Sequence, residues 1–252
     1  MVYVSNTMCY TPLTLKVHDS YRLVPCGRCL LCYASRRQQW FLRLKEEYKN
    51  ACASYFVTLT YDDDSVVDEV TRKTIKLFHK RLRKLCLKYR HYTVGEYGSV
   101  SGRAHYHSLL FFPVNCSHSD LIIALEKAWT CGHVRASVCT DARINYTCKY
   151  VLKVGDKKGV MTCSQGIGKS FLTPAREAYY AGRKVDSYIA PGGSVRKLPR
   201  YYVNKIFVDR GLGYDHVFTP EYDCPDDYHA YKKEQEQRLL KIKKTIGYNE
   251  HF

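Results

Sequence analysis

The stretch Gly102-Arg103-Ala104-His105-Tyr106-His107-Ser108-Leu109-Leu110-Phe111-Phe112 constrains the chain more than any other. A turn feeds an apolar run rich in strand formers, which predicts a buried β-strand. Side chains alternate across a strand, so His105 and His107 leave by one face while Tyr106 leaves by the other. At about 3.3 Å rise per residue, the two imidazoles sit roughly 7 Å apart at their Cα atoms, close enough to grip one metal ion. Upstream, His91 to Tyr97 reads as a second strand, with Gly98 to Gly102 as the hairpin loop between them. Glu96 then comes alongside the histidines. A carboxylate with two neutral imidazoles makes a mixed nitrogen and oxygen site for a divalent ion, with positions left for water or a substrate oxygen. The competing reading is that two histidines merely border a core strand.

Further on, Asn145-Tyr146-Thr147-Cys148-Lys149-Tyr150-Val151-Leu152-Lys153 has helical character. Tyr146 and Tyr150 stand one turn apart and share a face with Lys149 and Lys153. A phenol ionises near pH 10, and neighbouring ammonium groups favour the phenolate, so two candidate nucleophiles face one way. In a chain with 23 tyrosines, packing is the alternative role for such a pair.

Phe56-Val57-Thr58-Leu59-Thr60-Tyr61, then His105-x-His107, then Tyr146-x-x-x-Tyr150, in that order, resemble the three motifs of the HUH endonucleases that initiate rolling-circle replication. Within that superfamily the chain is most similar to the replication-associated proteins of gokushovirus-type single-stranded DNA phages, whose early Cys-Gly-x-Cys-x-x-Cys run is also present. The resemblance spans roughly residues 9 to 170. It implies a DNA endonuclease and strand transferase. Glu96, His105 and His107 would hold Mg2+ or Mn2+, and Tyr146 and Tyr150 would be nucleophiles with Lys149 and Lys153 as their electrostatic partners. A 5′-phosphotyrosine link and a free 3′-hydroxyl primer would follow, with rejoining of the displaced strand. Implied partners are origin DNA, single-stranded and replicative-form, with a host helicase and polymerase; the implied location is the cytoplasm of a bacterial host.

Composition bears on the partner. The 40 lysines and arginines against 24 acidic residues give a net charge of +16, which points to a polyanion. Nucleic acid and an anionic membrane surface both qualify. No signal-like apolar core opens the sequence and no run of eighteen apolar residues occurs, so neither secretion nor membrane spanning is expected. Twelve cysteines in a reducing compartment are not expected to form a disulfide framework.

Their main cluster has ligand-like spacing. Cys26, Cys29 and Cys32 sit at two-residue gaps, with Cys9 or Cys52 available as a fourth thiolate for structural Zn2+; an iron–sulfur centre uses similar runs. An amphipathic helix should follow, with Tyr33, Trp40, Phe41, Leu44 and Tyr48 on one stripe. From Ser54 the pattern reads strand, helix, strand, strand, helix, strand. That is the split βαβ order of a ferredoxin-like α+β fold, an antiparallel sheet with helices on one face and the histidine strand interior. Ser119 and Asp141 are expected to cap the second and third of the later helices. The helix over 71–89 packs by Ile75, Phe78 and Leu82 and presents Lys76, Lys80, Arg83 and Lys84, candidates for phosphate contacts.

Gly166-Ile167-Gly168-Lys169-Ser170 suggests a phosphate loop, but Cys163 stands where its first glycine belongs and no clear strand is expected before it. Beyond it, Arg196, Lys197 and Arg200 lie among aromatics in a basic segment suited to single strands. Three regions result: a Cys-rich knuckle with its anchoring helix over 1–50, the endonuclease-like domain over 51–175, and a basic, Tyr-rich segment with a helical tail over 176–252. The rival readings are a non-catalytic zinc-containing nucleic-acid-binding protein and a relaxase or transposase of the same superfamily.

Overall fold

The computed structural model describes residues 9, 11–17, 20–85, 88–98, 101–149, 159–190, 192–212, 233 and 237. In chain order the elements are β1 (Leu13–Val17), β2 (Ser20–Val24), α1 (Leu30–Lys49), β3 (Ala53–Tyr61), α2 (Arg72–Leu85), β4 (Arg90–Tyr97), β5 (Ala104–Phe112) and α3 (His118–Ala128). Then come β6 (Gly132–Val138), α4 (Asp141–Lys149), β7 (Val160–Cys163), α5 (Pro174–Arg183), β8 (Ser187–Ile189), β9 (Val195–Lys197) and the short α6 (Arg200–Val203). Two compact units result, Arg37–Glu177 and Met1–Arg36 with Ala178–Phe252. Tyr150, Lys153 and, apart from 233 and 237, the expected tail over 228–246 lie outside the described residues.

The unit Arg37–Glu177 is built on a five-stranded antiparallel sheet in the order β6-β3-β5-β4-β7. Its first four strands reproduce the split βαβ order, with β5 between β3 and β4. The histidine strand is therefore interior and the Glu96 strand is its neighbour. Val57 and Leu59 of β3 and Leu110 and Phe112 of β5 pack with Ile75, Phe78 and Leu82 of α2 and with Leu121, Leu125 and Trp129 at α3. Each such fully buried apolar side chain is worth about 1.5–3 kcal/mol over exposure.

That layer is the expected one, but helices cover the other face too. Tyr92 and Val94 of β4 and Leu109 and Phe111 of β5 bury there against Leu44 of α1 and Ile144 and Cys148 of α4. The physical reason is that β4 and β5 are apolar on both faces, so a single helix layer would leave one face wet. Trp40, Phe41 and Tyr48 of the α1 stripe pack against the same cluster.

Local details refine the expectations. Thr140, not Asp141, caps α4: its hydroxyl accepts the Arg143 N–H at 3.3 Å, while Asp141 pairs with Lys45. At α3 the cap position is Ser117, whose hydroxyl lies 2.8 Å from that of Ser119. Gly95 is required inside β4 because a Cβ there would come within 2.8 Å of the Tyr106 ring and of Val160. A strand, β7, does precede Gly166, contrary to the sequence expectation, because its four residues are too few to show a pattern. The phosphate-loop reading still fails. Only a three-residue 3-10 turn, Lys169–Phe171, follows, and the Gly168 N–H already donates to the Glu47 carboxylate at 2.7 Å.

Under α2 lies a buried polar network. His79 holds Tyr89 Oη at 3.0 Å by Nδ1 and Thr93 Oγ1 at 2.9 Å by Nε2, and its ring centroid lies 3.8 Å from that of His91. His91 Nδ1 accepts from the Arg83 guanidinium at 3.2 Å. Burial, then the charges of His91 and Arg83, hold His79 well below its usual range; burial, Arg83 and Arg90 hold His91 down at about 3. The unfolded chain therefore binds more protons than the folded one below about pH 6.5. Stability is fully present above that pH and is lost as pH falls toward 3, by about 1.4 kcal/mol per pH unit for each group. Urea midpoints of the wild type should fall between pH 6.5 and 4.5. Replacing His79 and His91 by Gln should flatten that slope, and an unchanged slope would show that these rings are not the cause.

Candidate metal centre and nucleophile face

Antiparallel pairing sets the first cluster. Glu96 is registered directly opposite His105, and His107 follows two residues on, so all three side chains leave by one face of the sheet. Glu96 Oε1 lies 2.9 Å from His105 Nε2 and 3.0 Å from His107 Nε2. The three donor atoms lie within 4.8 Å of one another, a grouping able to hold one metal ion. Glu96 and His107 are buried, and His105 keeps partial exposure.

Their surroundings prepare the donors. The hairpin closes through Gly98 N–H to Arg103 O and Gly102 N–H to Gly98 O, both 2.9 Å, with Gly102 at φ 66°. That turn aims the Arg103 carbonyl at His105 Nδ1, 3.1 Å away. A carbonyl only accepts, so Nδ1 carries the proton and Nε2 of the neutral ring keeps its lone pair for a metal. His107 Nδ1 lies 3.1 Å from Thr58 Oγ1, which can accept in the same way. Burial alone would raise the Glu96 carboxyl, but hydrogen bonds from His105 and His107 outweigh it and hold the group at about 2. Glu96 is thus an anion at neutral pH.

Tyr146 of α4 reaches this cluster from above. Its ring stands edge-on to that of His107 at 5.5 Å and to that of Phe56 at 6.2 Å, while Phe56 stacks on His107 at 5.1 Å. It remains 39% exposed, which leaves access for an incoming substrate. Lys149 is exposed at the end of α4.

In the other unit, Cys9 joins Cys26, Cys29 and Cys32 in the second metal-capable group. Cys9 and Cys29 sulfurs are 3.8 Å apart, Cys26 and Cys32 3.9 Å, and Cys9 and Cys32 3.5 Å. These separations are far beyond a disulfide bond of about 2.05 Å. Cys52 instead donates to the Pro113 carbonyl at 2.9 Å. Burial opposes ionisation of Cys26, but the Thr11 side chain and the Arg28 and Cys29 amides outweigh it and lower that thiol to about 6.

The basic candidates scatter. Lys76, Lys80, Arg83 and Lys84 lie on α2, which covers the sheet face opposite to the histidines. Arg196 and Lys197 lie on β9 and Arg200 opens α6, in the unit of the cysteines. Lys197 is held by Asp186 at 2.6 Å, so its charge is compensated locally. Sequence reading missed the orienting role of the Arg103 carbonyl and of Thr58. Thr58 lies in the strand motif, yet only the β3–β5 register, Thr58 opposite His107, reveals it.

Residues 54–155 match a family model described as a replication-associated protein of the ORF2 type. The chain is 26% identical to replication-associated protein ORF4 of Chlamydia phage 1, over 91% of this chain and 62% of that protein. The chain's homologues are phage replication-associated proteins. Replication-associated protein VP4 of Bdellovibrio phage phiMH2K is a second, also 26% identical, over 71% of this chain and 65% of that protein. The chain thus spans a little under two thirds of the length of these relatives. Hypothetical protein ORF119 from Sulfolobus islandicus rod-shaped virus 1 overlays 46% of this chain and 94% of its own, at 19% identity and a TM-score of 0.30, too low to carry an argument. No helix among the described residues is long and apolar enough to cross a membrane.

Ion binding at Glu96, His105 and His107 should stabilise the fold by linkage, about 2.7 kcal/mol at a hundredfold excess over Kd. Adding a divalent salt should raise the melting temperature of the wild type. His107→Ala should abolish the increment, and an equal shift in that variant would place the ion elsewhere.

Proposed function

We propose that this chain is a replication initiator that nicks and rejoins DNA by tyrosine transfer. The observation that carries the reading is the Glu96, His105 and His107 cluster with the Tyr146 ring against His107, on a chain homologous to phage replication-associated proteins. Tyr146 Oη attacks phosphorus, the bond from phosphorus to the 3′-oxygen breaks, and that oxygen leaves as a hydroxyl after taking a proton. The 5′-phosphate stays on the tyrosine, which retains the phosphodiester energy for rejoining where hydrolysis would lose it. Tyr150, one turn on, serves the second transfer that closes the displaced strand. Lys149 and Lys153 favour the phenolates.

The chemistry of the donors suits a hard, exchangeable ion such as Mg2+ or Mn2+, with one carboxylate and two imidazoles leaving positions for water and substrate. When bound there, such an ion polarises the phosphodiester and offsets its growing charge by several kcal/mol. Glu96 supplies the anion that retains it, while Arg103 O and Thr58 fix the rings. The substrate is origin DNA, single-stranded or replicative-form, in the cytoplasm of a bacterial host, with a helicase and a polymerase supplied by that host. The cluster of ligand and nucleophile groups favours this reading over a non-catalytic binding protein, which needs neither. The phage relatives favour it over a relaxase or transposase.

The four cysteines fit a single structural Zn2+. Tetrahedral zinc with bonds of about 2.3 Å requires sulfurs roughly 3.8 Å apart, and the observed separations run from 3.5 to 3.9 Å. Protein purified without chelator should carry about one zinc per chain. Absence of zinc together with unchanged folding of Cys29→Ser would remove that assignment.

Covalent trapping tests the enzyme. Incubated with a single-stranded origin oligonucleotide and Mn2+, the wild type should form an adduct that mass spectrometry locates at Tyr146 or Tyr150. Each Phe variant keeps its ring and should change stability by less than about 0.5 kcal/mol. The double variant should form no adduct, and adduct formation by it at the wild-type level would refute the nucleophile assignment.

A further inference from the structure

The edge strand β6 carries a second set of polar side chains onto the metal-capable face. Val134 and Ala136 pack into the core beneath α2 and α3. By alternation His133 and Arg135 therefore leave by the opposite face, where Arg135 is exposed and His133 partly so. The registers then align two transverse rows. One runs Glu96, His105, Thr60, His133, and the next runs Val94, His107, Thr58, Arg135. Only the small side chains of Thr58 and Thr60 separate the histidine pair from the β6 pair. With strands about 4.8 Å apart, the two flanks stand roughly 10 Å from each other at the backbone. This makes a shallow trough, floored by hydroxyls and bordered on one side by metal-capable donors and on the other by a guanidinium and an imidazole.

Other arginines near the trough are already engaged. Arg103 pairs with Asp63 at 2.8 Å and donates to Tyr61 O at 3.1 Å, and Arg143 donates to Val138 O while its guanidinium lies 5.8 Å from the Phe56 ring centroid. Arg135 extends from an edge strand, on a long stem that can fold over Thr58. Its planar fork matches the two non-bridging oxygens of a phosphodiester. From this arrangement we infer that Arg135, assisted by His133, binds a backbone phosphate of the single DNA strand that occupies the trough beside Glu96, His105 and His107. Arg135 is then a substrate-positioning residue on a strand that the family-like motifs do not reach. The inference rests on the nickase reading for the identity of the strand, but not for the contact itself.

A charge on an edge strand also discourages pairing between sheets, and Lys or Glu would serve that purpose equally well. Phosphate binding makes a different demand, namely a cation with fork geometry.

The test is equilibrium binding of a short mixed-sequence single-stranded DNA in EDTA, so that no turnover occurs, measured by fluorescence anisotropy across a salt series. Arg135→Gln should weaken binding about three- to tenfold at low salt and reduce the log–log salt slope by about 0.7, the value for one phosphate contact on a single strand. Arg135→Lys should keep the slope and lose part of the affinity, and Arg135→Glu should be weakest. Lys127→Gln, the same charge change on α3 across the sheet, is the control and should leave the slope unchanged. Melting temperatures with and without divalent salt check that the variants keep the fold and the metal-capable cluster. Wild-type slope and affinity in Arg135→Gln would overturn the contact, as would an equal loss in Lys127→Gln. Adduct formation by the wild type is scored separately. A wild type that forms no adduct, with the Arg135 slope change intact, retires the nickase reading and keeps the phosphate site.

Discussion

Antiparallel pairing of β4 with β5 is the constraint on which the candidate site depends. It sets Glu96 opposite His105 and leaves His107 on the same face, so a one-residue slip would send the carboxylate to the α2 side and dissolve the cluster. The register is protected by burial. Tyr92, Val94, Leu109 and Phe111 fill one face, and Tyr106, Leu110 and Phe112 fill the other, so a slip would misplace every one of them. Gly95 adds a local lock, since Tyr106 occupies the space its side chain would need.

Position within the sheet follows from the same pairing. β5 has hydrogen-bonded neighbours on both sides, which fixes its histidines far more tightly than an edge would. The helices then divide their work. α2 and α3 seal the face away from the histidines, while α1 and α4 seal part of the other and carry Tyr146 against His107. Because the basic face of α2 lies on the sealed side, its charge acts on a surface distinct from the metal-capable one. The strong positive balance of the chain is thus distributed over several faces, and only part of it borders the cluster.

Aromatic packing ties chemistry to core. Phe56 stacks on His107 and meets Tyr146, so one ring supports both a metal-capable imidazole and the candidate nucleophile. Arg143 closes the other side of Phe56, and Arg37 holds Asn145 at 2.6 Å, so α4 is tethered beside Tyr146. Such support matters because a nucleophile displaced by about 1 Å can lose a large factor in rate.

Much of this was legible in the sequence. The alternation around His105 and His107, the turn at Gly98 to Gly102 and the helical spacing in α2 are local patterns of period two or 3.6, and they specify strand, hairpin and helix without knowledge of the rest of the fold. Near-coincidence of Glu96 with the histidines also followed, because a hairpin is a local structure. Cys9 is different: its place with Cys26, Cys29 and Cys32 depends on the chain returning through β1 and β2, and the sequence left Cys52 as a substitute. The second helix layer, β7, the burial of His79 against His91 and the alignment of Arg135 with His107 likewise had no local signal. Local periodicity determines which face of its own element a residue takes. Pairing between distant strands decides which other residues share that face, and those contacts exist only once the sheet has closed.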